Sequence, residues 1–193
     1  MRKLSVADIA DMREYERERD GFRNEIIELK KKRRIAIGEL MTILFENVLT
    51  MRFQIQEMAR AEKMLRDEQI EHEVETYNEL IPDEGELSGT LFIEIADEAE
   101  LRNWLPRLIH IQDFVAIEVD GELVRARETD ELRLTREDEM TTTVHYLKFA
   151  FTPSQVASFE NAAVALVVDH PEYQARVVLT DAQREELAGD FDA

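Results

Sequence analysis

MTILFENVLTMRFQIQ, residues 41–56, alternates apolar and polar side chains twice over, and its reading decides the fold class. In 41–46, Met41, Ile43 and Phe45 share one side and Thr42, Leu44 and Glu46 the other. In 49–56, Leu49, Met51, Phe53 and Ile55 lie opposite Thr50, Arg52, Gln54 and Gln56. A period of two puts successive side chains on opposite faces of a pleated strand. Setting 45 against 51, 43 against 53 and 41 against 55 brings apolar onto apolar, with Asn47, Val48 and Leu49 as the connection. The pattern predicts an antiparallel hairpin. Its outward face would carry Thr42, Thr50, Gln54, Gln56 and a Glu46–Arg52 ion pair.

Upstream, residues 5–34 read as helical. Ser5 is placed to cap a short helix over 6–12, and Tyr15, Phe22, Ile26 and Leu29 then form one stripe of a 3.6-residue period. Gly21 marks a weak point within that segment. Downstream, Met58, Ala61, Leu65, Ile70, Val74, Tyr77 and Ile81 predict a helix that begins near Glu57 and ends before Pro82. Residues 87–95 alternate as a strand, and Asp97 caps a helix reaching about to Leu108. Asp120-Gly121 joins strands over 114–119 and 122–127 as a two-residue hairpin. A strand over 145–151 precedes a short helix with Thr152 as cap and Pro153 in its first turn. A last hairpin pairs 164–168 with 175–179 through Asp169-His170-Pro171-Glu172, and Thr180 or Asp181 caps a closing helix. The charged stretch 128–140 reads as a loop or irregular segment. Three hairpins exclude a mainly parallel, doubly wound sheet. The expected class is α+β, an antiparallel sheet built from hairpins with helices packed against it. One domain is expected over 1–193, with a helical N-terminal segment, 1–34, and a sheet-plus-helix body, 35–193.

Composition narrows the function. The 193 residues, 44% hydrophobic and 35% charged, are enough for one core and short for two. The absence of cysteine excludes disulfides, thiolate metal sites, iron–sulfur ligation and a cysteine nucleophile, and it fits a reducing cytoplasm. No apolar stretch of signal-peptide kind follows Arg2 and Lys3, and the longest apolar run, AAVALVV at 162–168, is far too short to span a bilayer. The net charge of −19 is unevenly placed: residues 1–36 carry 11 Lys/Arg against 8 Asp/Glu, the remainder 13 against 35. Such a field repels phosphate backbones and argues against nucleic-acid binding. The basic run Lys30 to Arg34 reads as a cationic last helical turn complementing the helix dipole, or as a docking patch for acidic groups of a partner or of this chain.

No catalytic, metal or nucleotide signature emerges. His72, His110, His145 and His170 are far apart, without HExxH or a Glu three residues before any of them. Glu68, Glu71, His72 and Glu75 read as a solvated helix face. The six glycines make no phosphate-binding loop. No cofactor and no metal is expected. The most patterned polar segment surrounds FQIQEM: Gln54 and Gln56 offer paired amide donors and acceptors, and Glu57 and Arg60 follow at the expected start of a helix. It reads as a water-facing surface or as a docking surface where sheet meets helix. His145 starts an apolar row and reads as a satisfied core or rim histidine, while His170 lies in a turn before Pro171. Gln54, Gln56, Glu57, Arg60, His145 and His170 are therefore the candidate binding residues.

FENVLTMRFQIQEMARAE at 45–62, YNELIP at 77–82, ELSGTLFIEI at 86–95 and, more faintly, HYLKF at 145–149 and DHPEY at 169–173 resemble a bacterial family of uncharacterised proteins. It is the domain of unknown function numbered thirty-five zero one, and the likeness runs mainly over 13–95. Gly89 stands where the resemblance leads one to expect Ala. The resemblance implies no activity and no catalytic residues. It implies an association, because members are encoded beside rubrerythrin-like and iron–sulfur, heterodisulfide-reductase-like proteins. The favoured expectation is a non-catalytic binding or accessory protein that docks to a protein partner in redox or peroxide metabolism. The alternative is a small-molecule or metal-binding enzyme with a pocket of Glu57, Arg60, His145 and His170. A homo-oligomeric scaffold is a third reading.

Overall fold

A computed structural model describes residues 2–129 and 140–191, and in it the decisive stretch is a strand followed by a helix, not two strands. Helix α1 (Met12–Arg33) leads into β1 (Arg34–Ile37) and β2 (Met41–Glu46), and α2 (Val48–Ala61) follows at once. The predicted hairpin over 41–56 is therefore corrected. The cause is local. The side chain of Asn47 accepts hydrogen bonds from the backbone N–H groups of Leu49 (3.0 Å) and Thr50 (3.1 Å), and the Thr50 hydroxyl accepts from the Asn47 N–H at 2.9 Å. This reciprocal capping box starts a helix where a turn was expected. Met51, Ile55 and Ala59 then line its buried side at four-residue intervals. Met51 and Ile55 satisfy both periodicities, so alternation over eight residues could not separate strand from helix.

The true hairpin partner of β2 is β1, with Ile35 opposite Ile43 and Ile37 opposite Met41. Gly38 makes the turn possible. Its φ is +68°, and a Cβ there would lie 2.2 Å from the Tyr173 hydroxyl oxygen. The later expectations fare better. Asp97 caps α4 (Glu98–Trp104), Thr152 caps α5 (Pro153–Ser158) and Thr180 caps α6 (Asp181–Ala188). Asp120-Gly121 joins β4 (Val115–Val119) to β5 (Glu122–Arg125). Helix α1 runs unbroken through Gly21. The segment 6–12 holds a 3-10 turn, Val6–Asp8, instead of a short α-helix. The helix expected over 57–81 is the end of α2 and, beyond Lys63 at φ +54°, a separate α3 (Asp67–Asn78). Of the stretch 128–140, residues 130–139 lie outside the described residues.

Nine strands among the described residues form two antiparallel sheets. The first has the order β1-β2-β3-β7-β6, with β3 at Glu86–Ile93, β6 at Arg127–Glu128 and β7 at Val144–Ala150. The second has the order β5-β4-β8-β9, with β8 at Val164–His170 and β9 at Tyr173–Val178. The main core lies between them. Ile43, Phe45, Leu87, Leu91, Leu147 and Phe149 from one sheet meet Val115, Ile117, Val164, Leu166 and Val168 from the other. Helices α1, α2 and α3 cover the opposite face of the five-stranded sheet, where a smaller core gathers Leu4, Met51, Ile55, Val74, Leu80 and Ile81. Among the described residues no helix is long and apolar enough to cross a membrane.

The basic run at the end of α1 turns inward. Arg33 is fully buried and donates to the carbonyls of Phe45 (2.9 Å) and Glu46 (3.2 Å), to both carboxylate oxygens of Asp190, and to Glu186 at 3.3 Å. Lys32 lies 3.7 Å from Glu186, and Arg34 pairs with Glu94 at 2.5 Å. Of the two expected uses of these cations beyond the helix dipole, pairing within the same chain is the one the fold displays.

Candidate functional site

The helix-covered face of the five-stranded sheet carries its polar side chains mainly in two of three rows. Glu46 sits opposite Ser88, which sits opposite Lys148. The next row runs Arg34, Leu44, Thr90, Tyr146, and the third runs Ala36, Thr42, Phe92, Val144. These are the outward positions of the alternating strands. Burying them under α1, α2 and α3 takes carboxyl, hydroxyl and phenol groups out of water.

Glu46 is the most demanding of them, being 5% exposed. The Thr90 hydroxyl donates to Oε1 at 2.9 Å, whereas Oε2 is buried and has no hydrogen-bond partner among the described residues. Burial raises the pKa of this carboxyl, opposed by the Thr50 and Thr90 hydroxyls and by the charges of Lys30 and Arg33. Thr50 stands close by, but its hydroxyl donates to the Asn47 carbonyl at 3.1 Å. The neighbouring Ser88 hydroxyl is also buried without a partner among the described residues. Unpaired polar atoms in a dry site are costly, and each needs a structural or functional reason.

A cavity of about 300 Å³ opens in front of Glu46. Its floor is Leu44, Thr90, Phe92 and Tyr146 of the sheet, its roof is Thr50, Met51 and Gln54 of α2 with Tyr77 of α3, and Lys30 and Arg34 contribute the cations. Burial raises the pKa of both phenols, with the Gln54 amide acting against it at Tyr77. The walls thus combine one half-satisfied carboxyl, hydroxyl and amide groups that donate or accept, aromatic rings and two positive charges. Such a set can hold and orient a polar molecule.

Gln54 is the one member of the predicted set that reaches this cavity. Gln56 is buried and serves the fold: its amide accepts from the Ala10 N–H at 2.7 Å and donates to the Ala10 carbonyl at 3.2 Å, pinning the N-terminal segment to α2. Glu57 accepts from Tyr15 (2.7 Å) and from Arg19 (2.8 and 2.7 Å), and the Arg19 hydrogen bonds hold its pKa down at about 2. Arg60 pairs with Glu16 at 2.5 Å. These three bind α2 to α1 and to the segment before it. A second cavity, about 220 Å³, touches Gln56 and Arg60 beside Tyr15 and Leu65, but each polar group named here is already engaged within the chain.

The histidines stand apart from α2. His145 is fully buried on the core side of β7, with Nδ1 3.1 Å from Glu128 and Nε2 2.9 Å from the Thr141 hydroxyl, and burial lowers its pKa. His170 is the last residue of β8 rather than part of the turn. Its Nε2 lies 3.1 Å from the Ile109 carbonyl, its Nδ1 accepts from the Glu172 N–H at 3.2 Å, and its ring stands edge-on to Phe114. Neither histidine lines the cavity at Glu46, and neither lines the one touching Gln56 and Arg60. His72 is exposed on α3, and among the described residues no group of three or more His, Asp or Glu is placed to hold a metal ion. Sequence reasoning missed Glu46, Tyr77 and Tyr146. Glu46 and Tyr146 occupy polar positions of alternating strands, and that signal becomes legible only when a helix is known to cover them.

Three comparisons bear on this arrangement. The family described as "Protein of unknown function (DUF3501)" matches residues 3–191, and the chain belongs to it. The fold is similar to the crystal structure of a novel protein of unknown function from Burkholderia pseudomallei K96243, at a TM-score of 0.92 and 31% identity, covering 99% of this chain and 100% of that one. No curated protein matches the chain.

Proposed function

We propose, from that family membership as premise, that the protein is a non-catalytic accessory protein of the cytoplasm that holds a small polar ligand beneath α2 and α3. The observation that carries this reading is Glu46 Oε2, a buried oxygen without a partner among the described residues, on a residue that lines a cavity of about 300 Å³. A ligand donor there would complete the carboxylate. The protein also docks to a protein partner rather than to nucleic acid, a reading supported by the net charge of −19. Its place in redox or peroxide metabolism is supported by the family resemblance alone.

The test is a thermal-shift screen of polar metabolites against the wild type and Glu46→Gln. A true ligand at ~100 times its Kd stabilises the protein by about 2.7 kcal/mol and loses most of that effect in the variant. A screen with no stabiliser, or with equal shifts in both proteins, removes the proposal. A second reading, an enzyme, draws on the raised pKa of Glu46 beside two phenols, a setting suited to proton transfer. Turnover of a screen hit, abolished in Glu46→Gln, would favour it. The pocket of Glu57, Arg60, His145 and His170 has less support, since each of those side chains already has partners within the fold.

A further inference from the structure

Resting on the reading of the Glu46 cavity as a ligand site, we infer that its ligand is a neutral N-heterocycle that meets the site with a lactam edge, its N–H donated to Glu46 Oε2 and its carbonyl accepting from the Tyr146 hydroxyl. The acceptor is the first ground. Glu46 is 5% exposed, Thr90 donates to Oε1 at 2.9 Å, and Oε2 has no donor among the described residues. A bare oxygen in a dry site is costly, and a ligand that brings a donor removes that cost. The donor stands beside it. Tyr146 is the cross-strand neighbour of Thr90, so its side chain leaves the sheet next to the hydroxyl that bonds Glu46. Among the described residues the Tyr146 hydroxyl donates no hydrogen bond, and the residue lines the same cavity. A lactam presents the matching donor and acceptor side by side.

The charges select a neutral ligand. Lys30 and Arg34 line the cavity together with Glu46, and Lys30 and Arg33 both act on the Glu46 carboxylate itself. Positive charge thus already lies within reach of that carboxylate. A cationic ligand would meet Lys30 beside the group it came for, and an anion would set a like charge against a buried Glu46. A neutral N–H gives Oε2 its donor with neither penalty. The remaining walls favour a ring. Tyr77 from α3 and Tyr146 from the sheet line the cavity, and Leu44, Met51, Leu80 and Val144 supply apolar surface. A flat ring packs on such walls, whereas a polyol would give up hydrogen bonds to water that these side chains cannot replace. A volume of about 300 Å³ is at the small end for ligand sites and suits a compact ring system.

The experiment is calorimetric titration of the full chain with planar probes: 2-quinolone, which has the lactam edge; coumarin, the same shape with oxygen in place of the N–H; and indole, with an N–H and no carbonyl. The proteins are the wild type, Glu46→Met and Tyr146→Phe, and circular dichroism confirms that each variant is folded. We expect the wild type to bind 2-quinolone at least ~10-fold more tightly than coumarin or indole. Glu46→Met should abolish the preference for 2-quinolone over coumarin while leaving coumarin binding unchanged. Tyr146→Phe should weaken 2-quinolone and coumarin by ~5-fold or more but not indole. Coumarin binding as tightly as 2-quinolone, a preference that survives in Glu46→Met, equal weakening of every probe in Tyr146→Phe, or no binding by any probe overturns the assignment. A charged metabolite from the thermal-shift screen that stabilises the wild type but not Glu46→Gln would overturn it too, while leaving the cavity reading in place. A screen with no Glu46-dependent stabiliser removes both.

Discussion

Arg33 and Glu46 are two buried ionisable side chains whose residues touch: the Arg33 guanidinium donates to the backbone carbonyl of Glu46. Around Arg33 the accounts close. Its Nε and both terminal nitrogens find carbonyls or carboxylates, and Asp190 receives it with both oxygens. Around Glu46 they do not, and the unpaired oxygen belongs to a residue lining open space. Both groups bear the cost of leaving water. A buried charge with every partner in place is architecture. One with a partner missing, on a residue that lines a cavity, is what the proposed ligand site rests on.

The sharpest way to break that contrast is to remove Arg33. Arg33→Met leaves Asp190 buried without its cation and should cost about 3–5 kcal/mol in urea denaturation. A loss below ~1 kcal/mol would mean that the knot is not architecture. Glu57→Gln gives an intermediate case, a satisfied pair that is partly exposed. We expect a loss of about 1 kcal/mol at neutral pH after allowing for solvent screening. Because the native pKa of Glu57 is depressed, its stabilisation is present above the ordinary value of 4.5 and is lost as pH falls from there toward about 2, where wild type and variant should converge.

Glu46→Gln should behave in the opposite sense. Its native pKa is raised, so the folded state keeps a proton that the unfolded chain releases as pH climbs above 4.5. Wild type therefore loses stability relative to the variant on going from acid to neutral pH. At pH 7 the variant should be as stable as wild type or better, by about 1 kcal/mol. A cost like that of Arg33→Met would show that Glu46 is structurally complete after all. The smallest effect concerns the floor beneath. Gly89 faces the main core opposite Phe45, and a Cβ there would meet the Ile43 side chain at 2.9 Å. Gly89→Ala sets a gain in strand propensity against crowding and should cost about 1 kcal/mol or less, read as a small drop in Tm.

Much of the fold was legible because its signals are local. Asp120-Gly121, the Thr152 and Thr180 caps, and the Tyr15–Ile26 stripe each carry their meaning within a few residues. The reading of 49–56 failed because Met51 and Ile55 suit a strand and a helix equally, and the tie was broken by a cap, Asn47 with Thr50, that reads as a turn. The site was less legible still. Gln54, Gln56, Glu57 and Arg60 were grouped by nearness in sequence, yet on a helix they point different ways: Gln54 to the cavity, Gln56 to Ala10, Glu57 and Arg60 to α1. What joins Glu46 to Tyr77 and Tyr146 is the laying of α2 and α3 across a sheet, and no window of sequence contains it.

The long reach of Arg33 bears on how the protein is made. Its carboxylate partner, Asp190, lies 157 residues later in the chain, so the arginine leaves the ribosome well before the group that balances it. Until then the junction of α1 with the first sheet holds a cation without its buried carboxylate partner, and we expect that junction to close late. A nascent chain arrested before residue 190 should then remain open to proteases at residues 33–46, and protection there equal to that of the full chain would show that α1 is sealed without Asp190.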